Sequence, residues 1–295
     1  MSENLNLATF RKYIPAPLLS AYRSSISYMR HRTTDVYFVG FPRSGNTWLR
    51  FLVGRYMQLL CSSEDMLLFG RYDLFGRCEK ACIGPAMNFN HGKLQWDNHH
   101  AEDLSYEEFV QPFMGKKIIL LSRYPLDVMV SNWAYDVNIA KTYEGDLPAY
   151  LDDPIRGLGR LFRFHNLWAS ARDEFPGLML SRYEDMRDNT ALHFRKIVEF
   201  LELPLKLEII GEAIEYASFS NMKNMQFNKS EENIKVDKAK LFRTGDPGNA
   251  EAHHVRRGKV GGYRDYLTDS VSTKLEASIE NEMVDWFGYS HPFHS

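Results

Sequence analysis

An eight-residue loop, Gly40-Phe-Pro-Arg-Ser-Gly-Asn-Thr47, has the composition of a phosphate-binding loop. The apolar run Asp35–Gly40 leads into the loop, and apolar residues at helical spacing follow it from Thr47 to Leu60. Its glycines permit tight backbone turns, and the unpaired amides at a helix N-terminus attract an anion. The loop nearly fits the nucleotide motif G-x-x-x-x-G-K-[ST], but Asn46 stands where that motif has lysine. The positive charge lies instead at Arg43, so the sequence predicts an anion site and disfavours a kinase or GTPase.

A second anion contact is predicted at Arg123, which directly follows the apolar run Lys117–Ser122. Open α/β sheets bind ligands beyond the carboxyl ends of their strands, which is where this arginine would lie. Ser131 comes two helical turns later, so its hydroxyl could reach the same anion. Arginine suits phosphate because its planar guanidinium donates two parallel hydrogen bonds.

A third basic cluster, Arg256, Arg257 and Lys259, surrounds Gly258 in a glycine-rich segment that could close over a ligand. Taken alone, these charges could equally be solvated, and Arg123 could equally be a surface ion-pair partner. The spacing of each cluster by itself therefore leaves both interpretations open.

Five motifs in order along the chain resemble the signatures of the sulfotransferases that use 3′-phosphoadenosine 5′-phosphosulfate (PAPS). The loop Phe41–Trp48 looks like the first signature, and Ser122–Ser131 looks like the second. The other three resemblances lie at Tyr183–Met186, Ser218–Lys223 and Arg256–Thr268. Together the motifs extend over most of the chain.

The resemblance implies which residues bind the donor. The first motif would hold the 5′-phosphosulfate, the second the 3′-phosphate, and the third would lie near the adenine. The last would add basic side chains over the ligand. The residues implied are Arg43, Ser44, Gly45, Asn46, Thr47, Trp48, Arg123, Ser131, Tyr183, Ser218, Phe219, Met222, Arg256, Arg257 and Gly258.

Sulfuryl transfer needs a base for the acceptor's proton and a group that neutralises charge on the leaving phosphate. The family has a histidine between its first two motifs, where this chain has His91, His99 and His100. We prefer His91 because it follows Met87–Asn90, which looks like a strand end, whereas the other two lie in a polar stretch. Arg43 is the second catalytic candidate, at a position where many family members carry lysine. Arginine stays protonated, so we expect it to stabilise charge and not to donate a proton.

The predicted reaction is in-line transfer of a sulfuryl group from PAPS to a hydroxyl of a small molecule, with 3′-phosphoadenosine 5′-phosphate (PAP) as the product. An amine acceptor is the alternative. Two other functions stay open: a nucleotide kinase with a modified loop, and a non-catalytic module that binds PAP. No metal is expected, because the histidine pairs His99–His100 and His253–His254 lack cysteine or carboxylate partners at zinc spacing.

These residues need a scaffold, and strands alternating with helices predict one α/β domain. Its mainly parallel sheet would be covered by helices on both faces. Strands are expected at Asp35–Gly40, Lys117–Ser122 and Leu178–Ser181. Helices are expected at Thr47–Leu60, Pro125–Ile139, Leu158–Glu174, Leu192–Leu201, Leu207–Ala217 and Ser270–Phe287. The polar stretch Ser220–Gly262 is expected to be a long loop that is functional or partly disordered.

Residues 34–295 are predicted to form this domain, and residues 1–33 a helical extension packed on it, because apolar residues recur there at helical spacing. The chain of 295 residues has 36 Lys+Arg against 38 Asp+Glu, a net charge of −2, which argues against a nucleic-acid partner. We find no apolar run of the ~18 residues that membrane insertion needs. Three cysteines are expected to be reduced thiols. These observations predict a cytoplasmic protein, and no pattern specifies its oligomeric state.

Overall fold

Four parallel strands form the sheet in the part of the chain that the computed structural model describes, namely residues 31–62, 84–92, 94, 99–227 and 242–289. The spatial order of the strands is β2-β1-β3-β4. All three neighbouring pairs are parallel, in agreement with the predicted fold class. The strands are β1 Val36–Gly40, β2 Met87–Asn90, β3 Lys117–Ser122 and β4 Gly177–Arg182.

Helices follow each strand and cover the sheet. The α-helices among the described residues are α1 Asn46–Leu60, α2 Tyr106–Phe109, α3 Pro125–Tyr135, α4 Leu147–Leu151, α5 Leu158–Ser170, α6 Tyr183–Asp188, α7 Thr190–Phe200, α8 Leu207–Tyr216, α9 Phe219–Phe227 and α10 Asp269–Glu282. Pro125 begins α3, where its missing N–H costs no hydrogen bond and its fixed φ suits the first turn.

Alternate residues of each strand enter different cores on the two faces of the sheet. Tyr37 and Val39 of β1 pack with the face that contains α3 and α5, where Trp168 is fully buried. Val36 and Phe38 pack with the other face, which contains α1, α7 and α8. Both faces of β1 are therefore apolar, and all five of its residues are buried. This explains why the strand reads as a continuous apolar run.

The structure departs from the sequence prediction after β3 and in the polar stretch before α10. The helix that begins at Pro125 changes at Asp136 into a π-helical turn, Asp136–Ala140. The prediction that Ser220–Gly262 is entirely loop is wrong at its start, since α9 occupies Phe219–Phe227. Phe219, Met222 and Met225 recur three residues apart in α9, but only Met222 is buried, so the apolar signal in the sequence is weak.

Several predictions concern residues at the edges of the described ranges. Residues 1–30, most of the predicted helical extension, lie outside them, so the extension stays a prediction.

Cys61 is disulfide-bonded, so the expectation of three reduced thiols is wrong there, because an odd cysteine count still permits one bridge. The other two cysteines, Cys78 and Cys82, lie outside the described residues. No described helix is both long enough and apolar enough to cross a membrane.

Candidate active site

Each strand of the sheet ends beside one pocket. The loop after β1 contributes Arg43, the residue after β2 is His91, the residue after β3 is Arg123, and the residue after β4 is Tyr183. The pocket has an empty volume of about 1060 Å³, including its open mouth. Parallel strands deliver their carboxyl ends to the same edge of a sheet, which explains why distant sequence motifs converge here.

Most of the residues singled out from the sequence lie around this pocket. Ser44 and Ser218 do not line it: Ser44 belongs to the loop but is buried, and Ser218 accepts a hydrogen bond from the Asn221 amide at the start of α9. The exposed His99 and His100 lie outside it as well. Those that line it are Arg43, Gly45, Asn46, Thr47, Trp48, His91, Arg123, Ser131, Tyr183, Phe219, Met222, Arg256, Arg257 and Gly258.

The loop before α1 has the backbone of an anion site. Gly45 has φ 107°, a left-handed conformation that favours glycine, and a Cβ there would lie 3.0 Å from the Tyr183 ring. α1 begins at the next residue, so its first amides open into the pocket. The side-chain amide of Asn46 donates to the Asn90 carbonyl oxygen at 3.1 Å. Asn46 therefore connects the loop to the end of β2 and supplies no charge.

Arg43 crosses the pocket wall and contacts two other segments. Its Nε donates to Ser131 Oγ at 3.2 Å, and its Nη2 donates to the His254 carbonyl oxygen at 3.0 Å. The guanidinium lies 5.1 Å from the Tyr135 ring centroid, within range of a cation–π contact. Burial lowers the pKa of Arg43 to about 10, so the side chain remains charged at neutral pH.

Asp127 positions the second arginine and the glycine-rich segment together. Its buried carboxylate accepts hydrogen bonds from the Gly261 and Tyr263 amides at 2.8 and 2.9 Å. It also lies 3.8 Å from the Arg123 guanidinium, which stacks over the Tyr183 ring. Sequence analysis missed Asp127, although its place one helical turn after Arg123 was a usable signal.

Ion pairs hold the third basic cluster over the pocket. Arg256 and Arg257 both contact Glu251, at 2.8 and 3.2 Å, while Arg257 and Lys259 share Asp265. Burial alone would raise the pKa of Glu251, but the Tyr266 hydroxyl and the Arg256 charge lower it. The carboxylate is therefore ionised when it pairs with these arginines.

Aromatic side chains form the opposite wall of the pocket. The rings of Trp48 and Tyr183 meet edge-on, with centroids 5.5 Å apart. Phe219 and Met222 of α9 complete this wall. Gly258 passes close to Phe219, because a Cβ at this position would lie 2.7 Å from that ring. Such a wall can hold a flat heterocycle by stacking.

His91 is fixed by a hydrogen bond from its ring to the Gly40 carbonyl oxygen. The distance from Nδ1 to that oxygen is 2.8 Å. A carbonyl oxygen only accepts, so Nδ1 carries the proton and Nε2 carries the lone pair of the neutral imidazole. The weaker 3.4 Å approach of Asn46 Nδ2 to the same Nδ1 joins two donors and is not a hydrogen bond in this tautomer.

His254 is a second pocket histidine, and it was not among the predicted site residues. Its Nε2 lies 3.2 Å from Thr47 Oγ1, and its Nδ1 lies 3.4 Å from Arg43 Nη1. Burial holds the pKa of His254 well below its usual value, and the charges of Arg43 and Arg50 and nearby His91 lower it further. Its position two residues before Arg256 was the available signal.

The electrostatics of the pocket favour a multiply charged anion. Among the described lining residues, six carry cationic side chains and one, Asp127, carries a carboxylate. Arg123 Nε, which belongs to a lining residue, is buried without a hydrogen-bond partner in the described part of the chain. Within those same residues no cluster of His, Cys, Asp and Glu could hold a metal ion. The residues present thus fit a ligand that carries phosphates at two places and an aromatic base.

Comparison with known proteins identifies the scaffold. The family model described as "Sulfotransferase domain" matches residues 33–287. Cytosolic sulfotransferase 12 of Arabidopsis thaliana is 25% identical over 268 residues, which cover 85% of this chain and 78% of that protein. An amine sulfotransferase of Oryctolagus cuniculus is also 25% identical, over 86% of this chain and 82% of the relative.

Two solved structures share the fold. A mouse sulfotransferase complexed with PAP superposes with a TM-score of 0.60 at 20% identity, covering 88% of this chain and 87% of the other. A retinol dehydratase in a complex with retinol and PAP gives a TM-score of 0.58 at 16% identity, over 85% of this chain and 81% of the other. At these identities the likeness establishes the fold.

Proposed function

The chain belongs to the sulfotransferase domain family and is a PAPS-dependent enzyme, and we propose that it transfers the sulfuryl group to a hydroxyl of a small molecule with His91 as the general base. The observation that carries the proposal is the convergence of three arginine-bearing segments and His91 on one pocket. When bound, PAPS supplies the sulfuryl group, and the residues of this chain hold it and accept the acceptor's proton.

The donor-binding residues fall into three groups. The 5′-phosphosulfate would be held by the first amides of α1 together with Arg43 and Thr47. The left-handed turn at Gly45 and the helix start that follows it are typical of an anion site. Arg123 and Ser131, together with Arg257 and Gly258, would hold the 3′-phosphate. The partnerless Nε of Arg123 supports this role, because a buried donor without a partner is costly in a ligand-free protein.

The adenine would lie against the aromatic wall. Trp48 and Tyr183 offer ring edges and faces, and Phe219 and Met222 approach from α9. Glu184, the residue after Tyr183, anchors the first turn of α6, because its buried carboxylate accepts hydrogen bonds from the Tyr124 amide at 2.8 Å and the Tyr289 hydroxyl at 2.9 Å. Burial raises the pKa of Glu184.

His91 suits the role of general base because its tautomer is set by the Gly40 carbonyl. With the proton on Nδ1, the lone pair on Nε2 would accept the proton of an acceptor hydroxyl. The charge that grows on the leaving phosphate would be neutralised by Arg43 and the loop amides. We expect Arg43 to contribute charge alone, because a guanidinium stays protonated in proteins.

A small-molecule acceptor is supported by the relatives. One is named an amine sulfotransferase, and one structural neighbour contains retinol. We favour a hydroxyl over an amine because a neutral imidazole is a suitable base for an alcohol or phenol. Asn46 disfavours the kinase alternative, because a kinase loop has a lysine at this position. The side-chain amide of Asn46 donates to the Asn90 carbonyl oxygen instead.

We extend the proposal to a cytoplasmic location of the protein and to its domain organisation. Several relatives are named cytosolic sulfotransferases, which supports a cytoplasmic protein. The disulfide at Cys61 argues against a cytoplasmic location, because such bonds persist in oxidising compartments. Residues 34–295 would form the catalytic domain, with residues 1–33 as its extension.

Donor binding and turnover test the proposal. We expect PAP to raise the melting temperature far more than AMP does, because a ligand that binds only the native state stabilises it. Equal shifts would contradict a 3′-phosphate site. Labelled PAPS should then be screened against alcohols, phenols and amines. Tight PAP binding without transfer to any of them would indicate the non-catalytic module instead.

A further inference from the structure

His254 lies between the two residues proposed to hold the 5′ end of the donor. Its backbone carbonyl accepts from Arg43 Nη2 at 3.0 Å, and its ring lies 3.4 Å from Arg43 Nη1 and 3.2 Å from Thr47 Oγ1. The ring thus occupies the gap between the phosphate loop and the first turn of α1. It also lines the pocket itself.

The partners of the ring specify its protonation state. A guanidinium only donates, so the approach of Arg43 Nη1 places a lone pair on His254 Nδ1. Nε2 then carries the proton and donates to Thr47 Oγ1. The hydroxyl proton of Thr47 therefore points away from the His254 ring. A protonated imidazole would instead direct an N–H at the guanidinium. The contacts in this structure therefore belong to a neutral His254.

The charged groups around the ring agree with this assignment. Arg43 faces it from the phosphate loop, Arg50 from α1, and His91 from the end of β2. Phe242 contributes an apolar ring, with centroids 5.9 Å apart. Because the surrounding charges are positive, a proton on His254 is unfavourable until an anion enters the pocket.

We propose that His254 takes up a proton when the donor binds, and so adds a positive charge at the 5′ end that the ligand-free site does not have. The inference rests on the proposed function, since it requires an anion beside Arg43. An anion there would replace the Nδ1 lone pair as the partner of the guanidinium. The freed Nδ1 would then bind a proton from solvent, and release of PAP would return that proton.

Calorimetry of PAP binding in buffers of different ionisation enthalpy measures this proton directly. The test compares wild type with His254→Gln, whose amide can still donate to Thr47 but cannot take a charge. We expect wild type to take up as much as about one proton more per bound PAP than the variant near pH 7. Correspondingly, the affinity ratio of wild type to variant should fall by up to about tenfold per pH unit as the pH rises.

His253→Gln is the matched control. His253 is the adjacent histidine, lies outside the pocket, and has Nε2 3.2 Å from the Pro247 carbonyl oxygen. We expect it to retain the wild-type proton uptake. Titration of the phosphates of PAP contributes equally to all three proteins and cancels in the comparison. His254→Asn replaces the glutamine variant should that variant fail to fold.

Two results would overturn the inference, and they are distinguishable. Equal proton uptake by wild type and the His254 variants, with PAP bound by all of them, would reject the role of His254 and leave the proposed function standing. Failure of wild type to bind PAP at all would reject both.

Discussion

Arg43 Nε donates to Ser131 Oγ across 3.2 Å, which joins the phosphate loop to α3. The sequence motifs assign these two residues to opposite ends of the donor, yet their side chains contact one another. The contact holds the guanidinium against the pocket wall. Ser131 therefore has a positioning role toward Arg43 besides any contact with a phosphate.

Ser131→Ala tests this relationship. We expect PAP affinity to fall by about fivefold to tenfold, the worth of one hydrogen bond of roughly 1–1.5 kcal/mol. Removal of the hydroxyl leaves Arg43 with fewer partners and should also slow single-turnover transfer. Titration calorimetry and a rapid-quench assay measure the two effects. Unchanged PAP affinity would show that Ser131 holds neither the arginine nor the ligand.

Arg123→Ala should weaken PAP far more than AMP. We expect a loss of about 10–100-fold for PAP, because a charge-assisted hydrogen bond to phosphate is worth roughly 1.5–3 kcal/mol. AMP, which lacks the 3′-phosphate, should change by only a few-fold. Arg163→Ala is the control, since its guanidinium donates to the Leu104 carbonyl oxygen outside the pocket. Equal losses for the two nucleotides would place Arg123 near the 5′ end.

His91→Asn should abolish most turnover and leave donor binding intact. The asparagine amide can still donate to the Gly40 carbonyl, but the base nitrogen is gone. We expect transfer to slow by about 10²–10⁴-fold, with PAP affinity within a few-fold of wild type. The wild-type rate should rise with pH, because only a neutral imidazole accepts a proton.

His99→Asn is the control for this substitution, because His99 is exposed and lies outside the pocket. It should retain the wild-type rate and pH profile. A His91→Asn enzyme that keeps a rate within a few-fold of wild type would remove His91 from the mechanism.

Gly45→Ala and Gly115→Ala separate backbone strain from a steric clash. Both glycines have positive φ, 107° and 77°, so each alanine should cost roughly 1 kcal/mol or more of stability. At Gly115 a Cβ meets no atom within 4 Å, whereas at Gly45 it lies 3.0 Å from Tyr183 Cδ2. We expect only Gly45→Ala to weaken PAP binding as well. Denaturant unfolding and calorimetry would measure both, and equal effects would exclude the Tyr183 contact.

His165 should make the fold sensitive to mild acid. It is fully buried, with Nδ1 2.9 Å from the Leu161 carbonyl oxygen, and burial lowers its pKa to about 4. The unfolded chain therefore takes up this proton below about pH 6.5, while the native protein stays neutral. The free energy of unfolding should fall by up to about 1.4 kcal/mol per pH unit between about pH 6.5 and 4.

Urea unfolding from pH 7.5 to 5 measures the His165 effect. His165→Gln should be less stable than wild type at pH 7.5 but lose less stability as the pH falls. Parallel pH profiles of the two proteins would show that His165 is not the group responsible.

The sequence predicted the parts of the site that lie on strong local patterns. β1, β3 and the helices after them are apolar runs bounded by glycine or proline, and Arg43 and Arg123 follow them directly. α9 was missed because its exposed surface leaves only Met222 buried. His254 was missed because its partners, Arg43 and Thr47, are far away in sequence. Contacts of this kind depend on the sheet bringing separate segments together, which no local pattern records.

The parallel pairing of β1 with β3 has a consequence for how the protein comes to be folded. Val36 pairs with Lys117, so the two strands that lead to Arg43 and Arg123 are joined by a long connection. Contacts so distant along the chain form slowly, because a large loop must close before any pairing is gained. During synthesis the loop Gly40–Thr47 thus emerges well before β3. The basic cluster of Arg256, Arg257 and Lys259 emerges later still. A nascent chain that has released only its first hundred residues has no donor site.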